Sequence, residues 1–356
     1  MSERDILLAL ERRAGEKPEF RLSELQKDLA AGQSLEDLAG EVRPQIDRLG
    51  LTLRPSGGDY VIGRRAGPLT VDDAGRERQA AFFRNPEVPE TIQHLIESYI
   101  TRKTGKPWDD PAVLDRMQNA ILVQKSRYWK EQRVSYRKAY QVLGYLAYHA
   151  PVYLVQFEHI FWQIIDRGLA KPHMRILDIG TGPGVVPLAV IDLLDRIGSA
   201  SAEVYAVERS EEHLEAYNAL VPAAAAAMGD RVQVKKPTRG DIGEIAAGDL
   251  PDRIDIMVFS NVLGELRHMR IEERADLVAA LAEQLAPDGT IVVVEPADLA
   301  NATALRQTVR AIADRGLTIH SPCSFIRGTA CNPARCWTFE QKGDIRPPRL
   351  MERLAE

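Results

Sequence analysis

Residues 177–186 read LDIGTGPGVV. An apolar run ends in an aspartate, three glycines follow at alternate positions, and the chain then turns apolar again. RILDIG just ahead reads as a buried strand and VVPLAVIDLLDRI just behind as a helix. The glycines therefore occupy a strand-to-helix turn. Without side chains, Gly180, Gly182 and Gly184 let the backbone take strained angles and approach a ligand closely. Their G-x-G-x-G spacing is one residue tighter than the dinucleotide fingerprint. Asp178 would also repel a pyrophosphate. An acid at that position suits a ligand carrying a cation, such as an amino-acid ammonium.

Outward from this turn the pattern alternates. EVYAVE is a second strand, VQVKK a third, IDIMVFSNVL a fourth and GTIVVVEP a fifth, with helical stretches such as EEHLEAYNALVPAAAAAM and ERADLVAALAEQL between them. Such alternation predicts an α/β fold with a parallel, doubly wound, Rossmann-like sheet. Ligands of such sheets sit at the carboxyl ends of the strands. Glu208 ends the second strand, where it can accept both hydroxyls of a ribose. LTIHSPC and CWTFEQ are expected to add a C-terminal antiparallel hairpin at the sheet edge.

Upstream, residues 1–65 read as a module of their own. DILLALERRAG, RLSELQKDL and SLEDLAGEVRPQIDRLG have helical spacing, and LTLRPSGGDYVIG reads as two strands around a Gly-Gly turn. Three helices and a hairpin are the order of a winged helix. GRRAGPLTVDDAG is the expected linker, residues 75–170 a helical substrate-recognition region, and residues 171–356 the sheet domain. Within the helical region Lys125, Arg127, Lys130, Arg133 and Arg137 alternate with Tyr128, Trp129, Tyr136 and Tyr140. Cations beside aromatics suit phosphates and stacked bases; the same pattern also describes an amphipathic helix with a solvated charged face. Val142 to Ile165 is apolar at helical spacing and is expected to pack on the sheet domain.

The bulk properties set limits. The 356 residues imply two or three domains. Hydrophobic and charged fractions of 45% and 27% are those of a soluble globular protein. A net charge of -5 excludes a global basic field. No apolar run approaches the ~20 residues of a membrane span, and the charged start MSERDILLALERR is unlike a secretory signal. A cytoplasmic protein with no membrane partner is expected. Cys323, Cys331 and Cys336 follow a C-x7-C-x4-C spacing that matches neither a standard zinc nor a ferredoxin pattern. With His320 as a fourth ligand they could hold zinc or an iron–sulfur cluster; as readily they are reduced structural cysteines.

LDIGTGPG together with VYAVERS resembles the class I S-adenosylmethionine-dependent methyltransferases, over roughly residues 150–341. The resemblance implies that the glycine loop holds the methionine moiety, that Glu208 binds the ribose and that Asp241 in RGDIGE meets the adenine amino group. The implied cofactor set is Asp178, Gly180, Thr181, Gly182, Gly184, Glu208, Asp241 and Asn261. Asn261, Glu265 and Glu295 are the candidates for catalysis. The fourth strand ends FSNVLGEL rather than in the Asn/Asp-Pro-Pro-aromatic run of exocyclic amino methylation. Pro322-Cys323 lies in the wrong place for the nucleophile of pyrimidine C5 enzymes.

A narrower likeness is carried by YLAYHAPVYLVQFEHIFWQII, VFSNVLGELRH, VVVEPAD and the cysteine-bearing tail. These are similar to the ribosome-associated methyltransferase-like family, whose eukaryotic members act in assembly of the mitochondrial small ribosomal subunit. That family has four cysteines binding an iron–sulfur cluster, whereas this chain has three. Three functions stand open at this level. The chain methylates ribosomal RNA or a ribosome-associated target, it methylates a side chain of a partner protein, or it is a non-catalytic cofactor-binding ribosome assembly factor.

Overall fold

Helix and strand spacing resolve into two units, Met1–Gly67 and Pro68–Glu356, in the computed structural model. The structure describes residues 3–17, 19–49, 51–56, 58–64, 67–131, 139–322, 332 and 342–356.

The first unit runs α1 (Glu3–Glu16), β1 (Glu19–Arg21), α2 (Leu22–Asp28), α3 (Leu35–Arg48), β2 (Leu51–Ser56) and β3 (Asp59–Arg64). Ser34 starts α3 by accepting the Asp37 N–H at 3.1 Å, satisfying one of the free donors of the first turn. The strands form an antiparallel sheet of order β1-β3-β2, with Ser56 opposite Asp59 across the tight turn. Leu10 of α1, Leu25 of α2, Val42 of α3 and Ile62 of β3 meet in its core. The cations of α1 are largely spent on α2: Arg13 contacts both Glu24 and Asp28, and Lys17 contacts Glu24.

The second unit begins with five helices: α4 (Asp73–Arg84), α5 (Glu90–Thr104), α6 (Pro111–Glu131), α7 (Ala139–Tyr148) and α8 (Ala150–Asp166). The alternating part follows as β4 (His173–Ile179), α9 (Val185–Ile197), β5 (Ser201–Glu208), α10 (Glu211–Ala226), β6 (Val232–Val234), β7 (Thr238–Arg239), β8 (Ile254–Ser260), α11 (Ile271–Leu281), β9 (Leu285–Val294) and α12 (Leu299–Asp314). α13 (Arg349–Ala355) closes the described chain. The sheet order is β6-β5-β4-β8-β9, with β7 also beside β5, and every pairing is parallel. Strand order reverses beside β4, which is where such a sheet opens a crevice for a ligand.

Side chains alternate across a strand, so β4 serves two cores. Met174 and Ile176 join one that includes α5, α6, α7, α8, α9 and α10, whereas Leu177 and Ile179 join Phe259 and α11 on the other face. The helices of residues 75–170 therefore share a core with the sheet. Leu317–His320, expected as the first strand of a C-terminal hairpin, has no regular secondary structure. The remainder of that expected hairpin, CWTFEQ, lies outside the described residues. Among the described residues β9 is a sheet edge, and no described strand pairs with its free side. No helix among them is long and apolar enough to cross a membrane.

One buried ionic cluster ties the early helices to the sheet domain. Arg196 of α9 donates to Gln79 of α4 at 2.9 Å and to Glu158 of α8, pairs with Asp192 one turn earlier, and stacks 3.6 Å from the Phe82 ring centre. Glu158 is fully buried, and burial pushes its carboxyl well above the usual range, with Asp192 adding to the rise and Arg196 opposing it. Removing one member of such a cluster leaves uncompensated buried charge. Arg196→Met should therefore lower unfolding free energy by about 3–5 kcal/mol in urea denaturation at neutral pH. A loss below about 1 kcal/mol would show that the cluster is not needed for stability.

Candidate functional site

The glycine turn is fixed by its backbone. After β4 the N–H groups of Gly180 and Thr181 both donate to the Val207 carbonyl of β5, at 2.8 and 3.0 Å, folding the loop over the neighbouring strand. Gly184 caps α9 with φ 94°, in the left-handed region. A Cβ there would lie 2.2 Å from Val221 Cγ2 of α10, and one on Gly180 would lie 2.5 Å from Val262 Cγ2. Neither position accepts another residue without displacing a neighbour.

Two acids flank this turn, and their carboxyls are shifted in opposite directions. Asp178 is 1% exposed, and neither its carboxylate oxygens nor the Thr181 hydroxyl makes a well-formed hydrogen bond. Burial pushes its carboxyl up to about 7, with Thr181 opposing and Glu208 reinforcing the rise. Glu208 is also buried, but unlike Asp178 it accepts backbone hydrogen bonds. Oε2 accepts the Gly182 N–H at 2.9 Å, while Oε1 accepts those of Arg209 and Ser210 at 2.9 and 2.7 Å. Burial would raise Glu208; His213 and the backbone donors of Ser210 and Gly182 outweigh it and hold the carboxyl below its ordinary value. Arg209, next in sequence, reaches Asp241 at 3.0 Å and stands 3.8 Å from Glu265.

The far wall rises from the ends of β8 and β9. Asn261 takes a positive φ of 57°, and its N–H donates to the Val294 carbonyl at 2.8 Å. Glu295 accepts the Gly264 N–H at 3.0 Å. Burial pushes Glu295 up to about 7 against the N–H groups of Gly264, Leu263 and Val262. The enclosing wall does the same to Glu265, also to about 7, with Arg209 opposing and Glu208 and Glu295 adding to the rise. Even so, 41% of the Glu265 side chain remains open to the cleft.

These elements enclose one cavity of about 1500 Å³. Asp178, Gly180, Thr181, Gly182, Glu208, Asn261, Glu265 and Glu295 all line it, as do Lys125 and Arg127 of α6. Gly184 stands behind the turn, and Asp241 is flanked by the lining residues Gly240 and Ile242. The Lys130 side chain, Arg133, Arg137, Cys323, Cys331 and Cys336 lie outside the described residues, whereas His320 is described and exposed. Among the described residues no group of three or more His, Cys, Asp or Glu could hold a metal ion. Sequence reasoning missed Tyr145, His149 and Tyr153, which also line the cavity. Their spacing of i, i+4 and i+8 was the available signal, since it places them along one helical face.

The donor set fits S-adenosylmethionine. A buried carboxylate, Asp178, lines the cavity where a cationic ligand would sit, beside the glycine turn and a second acid, Glu208, whose Oε2 accepts only one backbone N–H. Residues 156–332 match the family model described as a methyltransferase domain. No curated protein matches the chain. Similar solved structures include a methyltransferase from Geobacter sulfurreducens with S-adenosyl-L-homocysteine, at 17% identity and TM-score 0.28, covering 40% of this chain and 47% of that one. An arsenic(III) methyltransferase from Chlamydomonas reinhardtii matches at 18% and TM-score 0.30, covering 41% and 52%. Phosphoethanolamine N-methyltransferase 1 of Haemonchus contortus matches at 14% and TM-score 0.30, covering 51% and 32%. The chain thus spans about half the length of the first two of these structures and a third of the last.

Two outcomes are expected. Glu208→Ala should weaken S-adenosylmethionine binding about ten- to hundredfold by calorimetry, the magnitude of hydrogen bonds to a charged group; unchanged affinity would remove Glu208 from the site. The second outcome concerns pH. A carboxyl raised in the folded state contributes stability at pH below its unfolded value and loses it as pH climbs through about 7. Asp178, Glu265 and Glu295 share that sign. The ligand-free protein should melt lower at pH 8 than at pH 6, Asp178→Asn should shrink the gap, and S-adenosylmethionine should shrink it by supplying positive charge. A flat profile in the ligand-free protein would contradict the buried Asp178.

Proposed function

We propose that the chain methylates RNA, a ribosomal RNA or an RNA of the ribosome-associated machinery, using S-adenosylmethionine. The observation that carries this reading is that Lys125 and Arg127 of α6 line the same cavity as the cofactor loop. An acceptor in that cavity therefore shares it with two cations of the helical wall. The cavity also exceeds the ~300–1000 Å³ of ordinary small-ligand pockets, leaving room beyond a cofactor.

When bound, S-adenosylmethionine supplies an electrophilic methyl carbon: the acceptor's lone pair forms the new bond as the carbon–sulfur bond breaks, its electron pair remaining on sulfur. The protein's work is then mostly positioning. Asp178 and the Gly180–Gly184 backbone hold the amino-acid end, and Glu208 holds the ribose. Glu265 and Glu295 stand on the far wall beyond Asn261. With carboxyls near neutrality, they are suited to take the proton that an amine or hydroxyl acceptor gives up. The N-terminal unit, with three helices and a β1-β3-β2 antiparallel sheet, supports reading it as a winged helix that contacts the macromolecular substrate.

The test is transfer of labelled methyl to ribosomal subunits, to total RNA and to total protein prepared from cells lacking this gene. Label that is sensitive to ribonuclease and lost in Glu208→Ala is the expected result. Protease-sensitive label would instead establish a protein substrate. Cofactor binding without transfer to any fraction would establish a non-catalytic assembly factor.

A further inference from the structure

The walls of the cavity carry opposite charge. Among the described residues every carboxylate lining it, from Asp178 to Asp298, belongs to the ends of the sheet strands or the segments that follow them. The helical wall lines it with Gln124, Lys125, Arg127, Tyr145, His149 and Tyr153, which are cations, rings and an amide. Three arginines also line the acidic wall: Arg209 pairs with Asp241, Arg239 with Glu211, and Arg267 reaches the Asn301 side-chain oxygen at 3.5 Å, against the seven carboxylates Asp178, Glu208, Glu211, Glu212, Glu265, Glu295 and Asp298. A cationic methyl donor belongs on the acidic wall. The helical wall is left to face the acceptor.

That wall is built for a flat ring with negative charge attached. Tyr145, His149 and Tyr153 are half-buried and form a triangle of ring centres 5.8, 6.0 and 6.1 Å apart, with the His149 and Tyr153 planes only 15° from parallel. Burial, with Lys125 adding to it, holds His149 down to about 4, so its ring is uncharged at neutral pH. Lys125 is fixed at the cluster's edge, donating to the Tyr148 hydroxyl at 2.8 Å and lying 4.1 Å from that ring's centre. Arg127 is exposed and has no ion-pair partner among the described residues.

We propose that Tyr145, His149 and Tyr153 form an acceptor subsite that stacks an unpaired nucleobase of single-stranded RNA, with Lys125 and Arg127 on the adjoining phosphates. The inference rests on the RNA reading above and deepens it. Base–aromatic stacking tolerates every base and contributes about 1–3 kcal/mol per base. A base within a duplex is excluded, because its ring cannot reach a recessed wall until it is unstacked. Lysine and arginine side chains of a protein substrate would bring positive charge against Lys125 and Arg127.

The test compares a labelled single-stranded oligoribonucleotide with an abasic strand of equal length, by fluorescence anisotropy on protein saturated with S-adenosyl-L-homocysteine. Wild-type protein should bind the base-bearing strand about tenfold or more tightly than the abasic one. His149→Ala with Tyr153→Ala should erase that difference. Arg127→Glu, at an exposed position, should weaken both strands alike and flatten their salt dependence. Calorimetry should find the same S-adenosyl-L-homocysteine affinity in every variant. Equal binding of the two strands by wild-type protein, or preference for a lysine-rich peptide over RNA, would overturn the subsite while leaving the methyltransferase reading intact. Failure of wild-type protein to bind S-adenosyl-L-homocysteine would instead overturn that underlying reading.

Discussion

The backbone between Gly180 and Gly184 runs so close to Val262 and Val221 that no side chain fits at either end, and the site depends on that closeness. The close approach lets two successive N–H groups share the Val207 carbonyl, which locks the end of β4 to the end of β5. Once locked, Glu208 meets the Gly182 N–H, and α9 starts at a fixed angle beneath the turn. A bulkier loop would lift away from β5. Glu208 and the glycine turn would then no longer share one rigid frame.

The same closeness has an electrostatic counterpart. Burying a polar group without a hydrogen bond costs a few kcal/mol, and Asp178 is such a group. Ile176 and Leu177 before it and Ile179 after it are fully committed to the two cores, so the strand cannot rotate to let the carboxylate find water. Apolar burial around β4 offsets the penalty. Thirty residues along the chain, Glu208 occupies an equally buried position and is held ionised by donors on three sides. Two acids of like chemistry are thus shifted in opposite directions by the partners their strands happen to reach.

Most of the frame was legible in the sequence, because period-two and helical spacing are local signals. β4, β5, β8 and β9 lie where the apolar runs placed them, and the glycine turn follows the first of these strands as its spacing required. The helical wall of the cavity was not legible in the same way. Tyr145, His149 and Tyr153 sit in a stretch whose apolar periodicity reads as core, and in part it is core: Leu146 and Leu154 are buried in it. Which of two adjoining stripes on a helix faces a cavity is settled by long-range packing against the sheet, and no local pattern encodes that. The acidic character of Glu265 and Glu295 was visible. Their shared enclosure depends on the close approach of Gly264 to Glu295, two positions far apart in the chain. The expected strand at Leu317–His320 had a strand-like composition, but composition alone does not fix a strand, and the CWTFEQ segment expected to pair with it lies outside the described residues.

α13 adds a temporal consequence to the architecture. Leu350 and Leu354 insert into the core of the helical wall, Arg349 binds Glu97 of α5 at 2.7 Å across a separation of 252 residues, and Gln118 of α6 donates to the Leu354 carbonyl at 3.2 Å. The helices emerging first during synthesis are therefore sealed by a segment that emerges after the whole sheet. Until it arrives, α5 and α6 present uncovered apolar surface to the crowded surroundings of a growing chain. Closure over so long a separation makes for slow folding. That part of the core therefore stays open until the last described helix is made, and removing α13 would leave it open although every residue of the cleft is spared.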